Sequence, residues 1–247
     1  MPGRPYLYRM KALPRLLQLL PIVLLACGPS PDEQYEDARE LVQSGQYPAA
    51  VSLLNEVLAE QPERAEAYNL RGVAYFEQNN VTEAVSEFGQ AIRLDELDYR
   101  PYYNRANAYR ALSDLPAALQ DYNEVISREP KLPDAYLNRA IVLTEMNNLP
   151  AAYRDMQEAL SLAPTDTLVL LNAGKLFLQV DSLAAAEQTL TSLVNKNNKQ
   201  AEAYYLLGQV KRQQNLPEEA CTLFKQAEKN GYVRAQAYIN ISCTTQN

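Results

Sequence analysis

The sequence has no histidine among its 247 residues, and its eight glycines are scattered along the chain. Histidine is the most common general base and transition-metal ligand, and it activates serine and cysteine nucleophiles. Its absence therefore removes the usual routes to catalysis and metal binding. The scattered glycines form no loop of the kind that cradles phosphates. We expect no enzymatic activity, no cofactor, no metal and no small-molecule substrate.

Basic residues are fewer than acidic ones, 23 against 30, and four of them precede residue 27, where there is no acidic residue. These four are Arg4, Arg9, Lys11 and Arg15. The rest of the chain carries 19 basic and 30 acidic residues, a net charge of −11. Such a surface repels the phosphates of nucleic acids and of anionic lipids. The sequence therefore predicts no nucleic-acid partner, and membrane contact would need an anchor.

An apolar run from Leu16 to Ala26 follows the four basic residues and has about half the length that spans a bilayer as a helix. This order is typical of a secretory signal peptide, here residues 1–26, which is removed from the mature protein. The run ends in Leu-Leu-Ala-Cys27-Gly28, which resembles a bacterial lipobox. The resemblance implies that Cys27 carries acyl chains, which would anchor the protein to a membrane. Residues 27–30 are then the lipidated cysteine and a short linker.

Two alternatives to lipidation are ordinary cleavage near Ala26 and an uncleaved tail. A lipid anchor on Cys27 would place the protein in the bacterial cell envelope. In enteric bacteria an aspartate after the cysteine keeps lipoproteins at the inner membrane, and here that position is Gly28. The periplasmic face of the outer membrane is therefore favoured over the inner membrane.

The chain after residue 30 repeats every 34 residues. The six blocks are 31–64, 65–98, 99–132, 133–166, 167–200 and 201–234. A period in this range indicates a solenoid in which each block packs on its neighbours. Apolar residues three, four or seven positions apart share one face of a helix, so each block predicts two amphipathic helices. Polar residues that favour turns separate them. In the sixth block Leu216-Pro217 stands one position earlier than the prolines of other blocks, which predicts a rebuilt turn.

The second block shows the pattern that identifies the family. It has Tyr68, Gly72 and Tyr75 on its first helix and Ala84, Phe88 and Ala91 on its second. This pattern, which recurs along the chain, resembles the tetratricopeptide repeat family. The resemblance implies an all-α fold, a right-handed superhelical solenoid of six helix-turn-helix repeats. Residues 235–247 are expected to form a capping helix and tail that cover the last repeat, with Ala235, Tyr238 and Ile239 facing inward.

In tetratricopeptide repeat proteins the first helices line a concave groove that binds a protein or peptide. By this resemblance we expect the groove to include Tyr35, Arg39, Asn69, Phe76, Tyr103, Asn107, Arg110, Leu137, Leu171, Lys175, Tyr205 and Arg212. Such a mixed aromatic, aliphatic and polar surface suits an extended or helical peptide. The lysines with which cochaperones clamp a C-terminal carboxylate are missing, since Tyr103, Leu137 and Leu171 fill those positions.

Three arginines recur in one column of the first helices, namely Arg71, Arg105 and Arg139, and three acids recur in one column of the second helices, namely Glu87, Asp121 and Asp155. The fifth and sixth blocks are uncharged at both columns. This covariation predicts structural ion pairs between the helices of a block, the alternative being a basic stripe for an acidic ligand.

Two cysteines remain once Cys27 is set aside. Cys221 lies on the last predicted second helix and Cys243 follows the capping segment. In an oxidising compartment they would form a disulfide that holds the cap against the array. The alternative is a pair of buried free thiols.

These features together predict a non-catalytic, membrane-anchored scaffold that mediates protein–protein interaction in the bacterial envelope. A lipobox followed by six repeats is similar in layout to type IV pilus pilotins, and more broadly to the repeat lipoprotein of the β-barrel assembly machine. These similarities favour a role in assembling an envelope complex. The alternative is an adaptor that recruits peptidoglycan-modifying enzymes.

Overall fold

The computed structural model describes residues 28–197 and 199–243. The predicted signal peptide, Cys27 and the tail after residue 243 lie outside the described residues. Within the described ranges the chain forms thirteen α-helices and no strand, which confirms the prediction of an all-α repeat solenoid. None of the helices in these ranges has the length and apolar character needed to cross a membrane.

The helices follow the chain as six antiparallel pairs and a final single helix. The pairs are α1 Pro31–Gln43 with α2 Tyr47–Glu60, α3 Ala65–Glu77 with α4 Val81–Leu94, α5 Tyr99–Ala111 with α6 Leu115–Arg128, α7 Pro133–Glu145 with α8 Leu149–Leu162, α9 Thr167–Gln179 with α10 Leu183–Lys196, and α11 Ala201–Gln213 with α12 Pro217–Lys229. The single helix is α13, Ala235–Ser242. Every 34-residue block therefore begins with the first residue of a helix.

The turn inside each pair depends on one residue with a positive φ. These residues are spaced by 34 positions and are Gly45, Asn79, Ser113, Asn147, Asp181 and Asn215. Glycine, asparagine, aspartate and serine tolerate or locally support this left-handed conformation better than bulky residues do. The prediction of a rebuilt turn at Leu216-Pro217 was wrong. Asn215 has a φ of 61°, and the Leu216 N–H donates to the Lys211 carbonyl at 2.9 Å, as Asp114 does to Tyr109 in the third block.

Small residues let the two helices of a pair approach closely. The alanine column Ala50, Ala84, Ala118, Ala152, Ala186 and Ala220 is fully buried. At Gly72 an added Cβ would lie 2.6 Å from a ring carbon of Phe88, and at Gly174 it would lie 2.4 Å from a methyl carbon of Leu190. The bulky side chain of one helix therefore packs directly on the backbone of the other, as dense interior packing requires.

Contacts between blocks show which helices lie on the inside of the curve. First helices of neighbouring blocks contact each other, as α1 does with α3 and α9 with α11. The second helices instead contact the first helices on either side, as α4 does with α3 and α5. The first helices therefore form the inner surface, here called the inner groove, and the second helices form the outer surface.

Candidate functional site

The inner groove has a depression of about 320 Å³ between α3, α5 and α7. It is lined by Asn69, Tyr99, Arg100, Tyr103, Asn104, Leu132 and Asp134. Of these, Asn69 and Tyr103 were predicted from their columns. The others were missed because several lie in the inter-block loop or in the first turn of a helix. Their position was a usable signal, since Tyr99, Arg100 and Asp134 lie in the first turns of first helices and Asn104 directly follows Tyr103.

Hydrogen bonds between successive first helices hold the polar side chains of this depression. The Asn104 Nδ2 donates to Asn69 Oδ1 at 2.9 Å, and the Asn138 Nδ2 donates to the Tyr103 hydroxyl at 2.8 Å. Each primary amide has a second N–H and further acceptor capacity beyond these bonds. Burial raises the pKa of the Tyr103 hydroxyl, so this group is neutral and able to donate at physiological pH. The depression therefore presents oriented, uncharged hydrogen-bonding groups.

Asn107 and Arg110 extend this surface along α5. The Tyr122 hydroxyl donates to Asn107 Oδ1 at 2.6 Å, and Arg110 pairs with Glu145 of α7 at 3.2 Å. Arg110 is partly exposed, and its Nε has no hydrogen-bond partner among the described residues.

The other predicted groove cations also have acidic or aromatic neighbours. Arg39 pairs with Glu36 at 3.1 Å, and Lys175 pairs with Glu202 at 2.9 Å. The Arg212 guanidinium lies 4.8 Å from the centre of the Tyr238 ring. The inner groove is therefore mixed in charge and does not form a basic stripe.

The apolar members of the predicted set take different positions. Tyr35, Phe76 and Leu171 are half-buried at the edges of the core. A second depression, of about 220 Å³, lies between α7 and α9 and is lined in part by Ile141, Thr144 and the predicted Lys175. These two depressions lie on either side of α7.

Two residues predicted for the groove are buried instead. Leu137 is 1% exposed, because it packs in the largest apolar core together with Leu170 of the next block. Tyr205 is 9% exposed, because α13 and the preceding loop cover it. Its ring centre lies 4.7 Å from that of Tyr232 and 5.4 Å from that of Tyr238. Neither side chain is available to a partner in this structure.

The three arginine–acid pairs lie between the helices of a block and away from the inner groove. Arg105 Nε and Nη2 lie 2.7 and 2.8 Å from the Asp121 carboxylate oxygens, and Arg139 holds Asp155 at the same distances. The Arg71 guanidinium lies 2.7 Å from Glu87. The hydrogen bond to Asp121 raises the pKa of Arg105. Each of these guanidinium groups is therefore occupied by an acid of its own chain.

Two of these arginines also reach the preceding block, which sequence reasoning missed. Arg71 Nη1 donates to Asn55 Oδ1 at 2.7 Å, and Arg139 Nη1 donates to Asn123 Oδ1 at 2.8 Å. The signal was present in the sequence, since residues 55 and 123 occupy one column of the second helices. In the second block this column holds Gly89, which has no side chain to accept a hydrogen bond, so Arg105 has no corresponding contact with the preceding block.

The C-terminal cap is held by a disulfide. Cys221 of α12 and Cys243 after α13 are bonded in the structure, with Cα atoms 5.4 Å apart. Beneath the cap, the rings of Tyr205, Phe224 and Tyr238 form an aromatic cluster with centres 5.3 to 5.8 Å apart. Ala235 is fully buried there, and Tyr238 and Ile239 pack on the same core. Among the described residues no cluster of histidine, cysteine and carboxylate side chains could hold a metal ion.

Comparison with solved structures finds repeat proteins of the same architecture. Pseudomonas aeruginosa PilF aligns with a TM-score of 0.73 and 18% identity over 84% of this chain and 96% of its own. The C-terminal part of a tetratricopeptide repeat-containing protein from Cytophaga hutchinsonii aligns with a TM-score of 0.72 and 15% identity, covering 85% and 88%. YrrB, described as a tetratricopeptide repeat protein with an unusual peptide-binding site, aligns with a TM-score of 0.66 and 18% identity, covering 74% and 96%. At these identities the likeness concerns the fold.

Comparison with protein families gives a more specific result, although no curated protein sequence matches the chain significantly. Tetratricopeptide repeat models match residues 35–99, 99–132 and 171–237. These matches cover more than half of the chain, and they fall on the helix pairs described above. The chain therefore belongs to the tetratricopeptide repeat family, whose fold serves as a scaffold for protein–protein interaction.

Proposed function

We propose that this protein is a non-catalytic, membrane-anchored scaffold of the bacterial cell envelope that holds a protein or peptide segment in its inner groove. By holding that segment it would assist the assembly of an envelope complex. The observation that carries this proposal is the inner depression, in which aromatic rings stand beside oriented side-chain amides. An extended peptide needs both, because its backbone requires hydrogen-bond partners and its side chains require apolar contacts.

The geometry of the depression supports a peptide rather than a small molecule. Its members come from three successive first helices, so the surface continues along the array. The hydrogen bond from Asn104 to Asn69 and that from Asn138 to Tyr103 join successive first helices, so polar groups recur from block to block along the groove. The shared fold of YrrB, with its peptide-binding site, is a further reason for this proposal.

The N-terminal order of the chain supports anchoring. The first helix begins at Pro31, four positions after Cys27. Four residue steps span at most about 14 Å. Acyl chains on Cys27 would therefore hold the first repeat at the membrane surface, with the later repeats extending from it. The acidic body of the protein would not bind anionic lipid by itself, so the acyl chains would supply the attachment. The absence of histidine supports a non-catalytic role.

The proposal is tested by placing a photo-reactive amino acid at Tyr103 in the inner groove and cross-linking in the native cells. The matched control places it at Lys225, which is exposed on α12. We expect a cross-linked envelope protein from the Tyr103 position and not from Lys225. A multimeric outer-membrane protein would indicate the assembly role, whereas peptidoglycan hydrolases or their regulators would indicate the adaptor alternative. Equal products from both positions would contradict the use of the groove.

The anchor is tested separately by fatty-acid labelling. Cys27→Ala should abolish incorporation of labelled palmitate and release the protein from the membrane fraction. Cys243→Ser is the matched control, because it removes a different cysteine and should leave labelling intact. Labelling that persists in Cys27→Ala would refute the lipobox assignment.

A further inference from the structure

A second recessed surface runs along the second helix α8, from the turns at Asn147 and Val180 to the space between α8 and α10. It consists of two adjoining depressions of about 710 and 360 Å³ that share Tyr153. We call it the outer groove and define it by Pro150, Tyr153, Gln157 and Leu160 on α8 and by Ala185 and Thr189 on α10. It shares no lining residue with the inner depressions, so it is a separate surface.

The outer groove arises from a change in the repeat columns. At the preceding interface Arg139 fills the space between the second helices, with its guanidinium on Asn123 of α6 and on Asp155 of α8. One block later the arginine column holds Ala173 and the acid column holds Thr189. Ala173 has no side chain long enough to reach the neighbouring helices. Ala173 itself is fully buried and lines neither depression. Gln157 and Thr189, which stand in the columns of Asn123 and Asp155, line the smaller depression at the place where the earlier block holds its guanidinium.

The groove follows one face of α8. Pro150, Tyr153, Gln157 and Leu160 are spaced three, four and three residues apart, which places them on the same side of the helix. A helix of 14 residues is about 21 Å long, enough for several residues of a bound segment. The floor is apolar, since Phe177 of α9 lies below and its ring centre is 4.9 Å from that of Tyr153.

The charge of the groove differs from that of the molecule. Of the 15 described residues that line the two depressions, Arg154 is the only charged one. Arg154 is exposed and takes part in none of the ion pairs formed among the described residues. The chain as a whole has a net charge of −7. Within the groove, this unpaired cation beside an apolar trough is complementary to a segment that places a carboxylate next to a bulky apolar side chain.

We propose that the outer groove binds an acidic amphipathic segment of a partner protein. A bulky apolar side chain of the segment lies against Tyr153 and Phe177, and a carboxylate of the segment pairs with Arg154. The amides of Gln157 and Gln188 stand at the groove walls to accept or donate hydrogen bonds to the segment's backbone. The Ser192 hydroxyl donates to the Gln188 backbone carbonyl at 3.0 Å and can accept a hydrogen bond from the segment. The inner and outer grooves share no lining residue, so one array can hold two partners at once.

The experiment uses the full chain and a displayed library of random 12-residue peptides as the probe. Three variants are compared with the wild-type chain. Ala173→Arg with Thr189→Asp restores the pair that fills the same space in the earlier blocks. Arg154→Glu reverses the charge at the rim, and Lys225→Glu makes the same change at an exposed position outside the groove. Thermal unfolding of each variant checks that the fold is retained.

We expect the selected peptides to carry an aromatic or large aliphatic residue close to aspartate or glutamate. Arg154→Glu should weaken their binding by about tenfold or more, Ala173→Arg with Thr189→Asp should remove it, and Lys225→Glu should leave it unchanged. The proposal would be overturned if the selected peptides bound the variant with Ala173→Arg and Thr189→Asp with the same affinity as the wild type. Two other results would also overturn it. The wild-type chain could self-associate in sedimentation, or bind to phosphatidylcholine vesicles, in a way that the variant with Ala173→Arg and Thr189→Asp abolishes.

Discussion

Two glycines of the second block have opposite surroundings and give a sharp test of the packing. A Cβ atom on Gly72 of α3 would lie 2.6 and 2.7 Å from two ring carbons of Phe88, whose side chain is 1% exposed. A Cβ atom on Gly89 of α4 would lie 3.7 Å from guanidinium nitrogens of Arg93 and Arg105, an ordinary van der Waals distance. Both glycines lie inside helices, so the same substitution meets a clash at one and an ordinary van der Waals contact at the other.

The expected magnitudes follow from this difference. Replacing a glycine inside a helix by alanine stabilises it by about 1 kcal/mol. Gly89→Ala should therefore raise the free energy of unfolding by about 1 kcal/mol. Gly72→Ala gains the same helix propensity but forces the buried Phe88 ring or the α3 backbone to move, and such overpacking costs about 1–3 kcal/mol. The gain in helix propensity is the same in both variants and cancels when they are compared. The difference between their free energies of unfolding, about 1–3 kcal/mol, therefore measures the cost of overpacking.

The assay is urea unfolding followed by far-ultraviolet circular dichroism, with midpoints compared at equal slopes. A third variant adds Phe88→Leu to Gly72→Ala and reproduces the alanine–leucine pair that Ala38 and Leu54 form in the first block. The double variant should be more stable than the sum of its single changes predicts. The reasoning would be refuted if Gly72→Ala stabilised the protein as much as Gly89→Ala, or if the two changes were simply additive.

Three further predictions concern the ion pairs, the cap and the tyrosines. Arg105→Leu should lower the free energy of unfolding by about 3 kcal/mol, because it leaves the buried Asp121 carboxylate unpaired. Adding Asp121→Leu should recover most of that loss. A double-mutant cycle followed by urea unfolding measures both effects. Cys243→Ser should lower stability by about 3 kcal/mol through the lost constraint on the unfolded chain, and adding a reducing agent should shift the unfolding midpoint of the wild type but not of the variant. Burial raises the pKa of Tyr205 from 10.0 to about 12, which favours its neutral form in the folded state. Its contribution to stability is therefore complete below pH 10 and is lost as the pH rises toward 12. Tyr205→Phe should flatten the fall in the urea midpoint between pH 9 and 11.5, and an unchanged slope would contradict this assignment.

Much of the fold could be predicted because the repeat pattern is a local property. Tyr68 and Gly72 share a helix face through spacing alone, and no distant residue alters that relation. The helix pairs therefore begin where the 34-residue blocks begin. The turn at Leu216-Pro217 was predicted wrongly because the proline was given more weight than Asn215. The positive φ of Asn215 keeps the turn unchanged, and Pro217 occupies the first position of α12, where its missing N–H costs no hydrogen bond.

The inner groove could be predicted only in part. Asn69 and Tyr103 line the depression as expected, whereas Leu137 and Tyr205 are buried. All four belong to the same column, so the spacing within a block cannot distinguish them. What distinguishes them is the packing of other elements, since α13 and the preceding loop cover Tyr205 and the core of the next block encloses Leu137.

The sequence by itself determined the helix pairs, their order and the pairing of Arg71, Arg105 and Arg139 with acids, because periodicity and covariation between equivalent columns are visible along the chain. Only the tertiary structure decided which column positions remain exposed, and that Gln157 and Thr189 line a groove on the outer surface. The physical reason is that helix formation depends on residues a few positions apart. Exposure depends on side chains about 34 positions apart that meet only when neighbouring blocks pack.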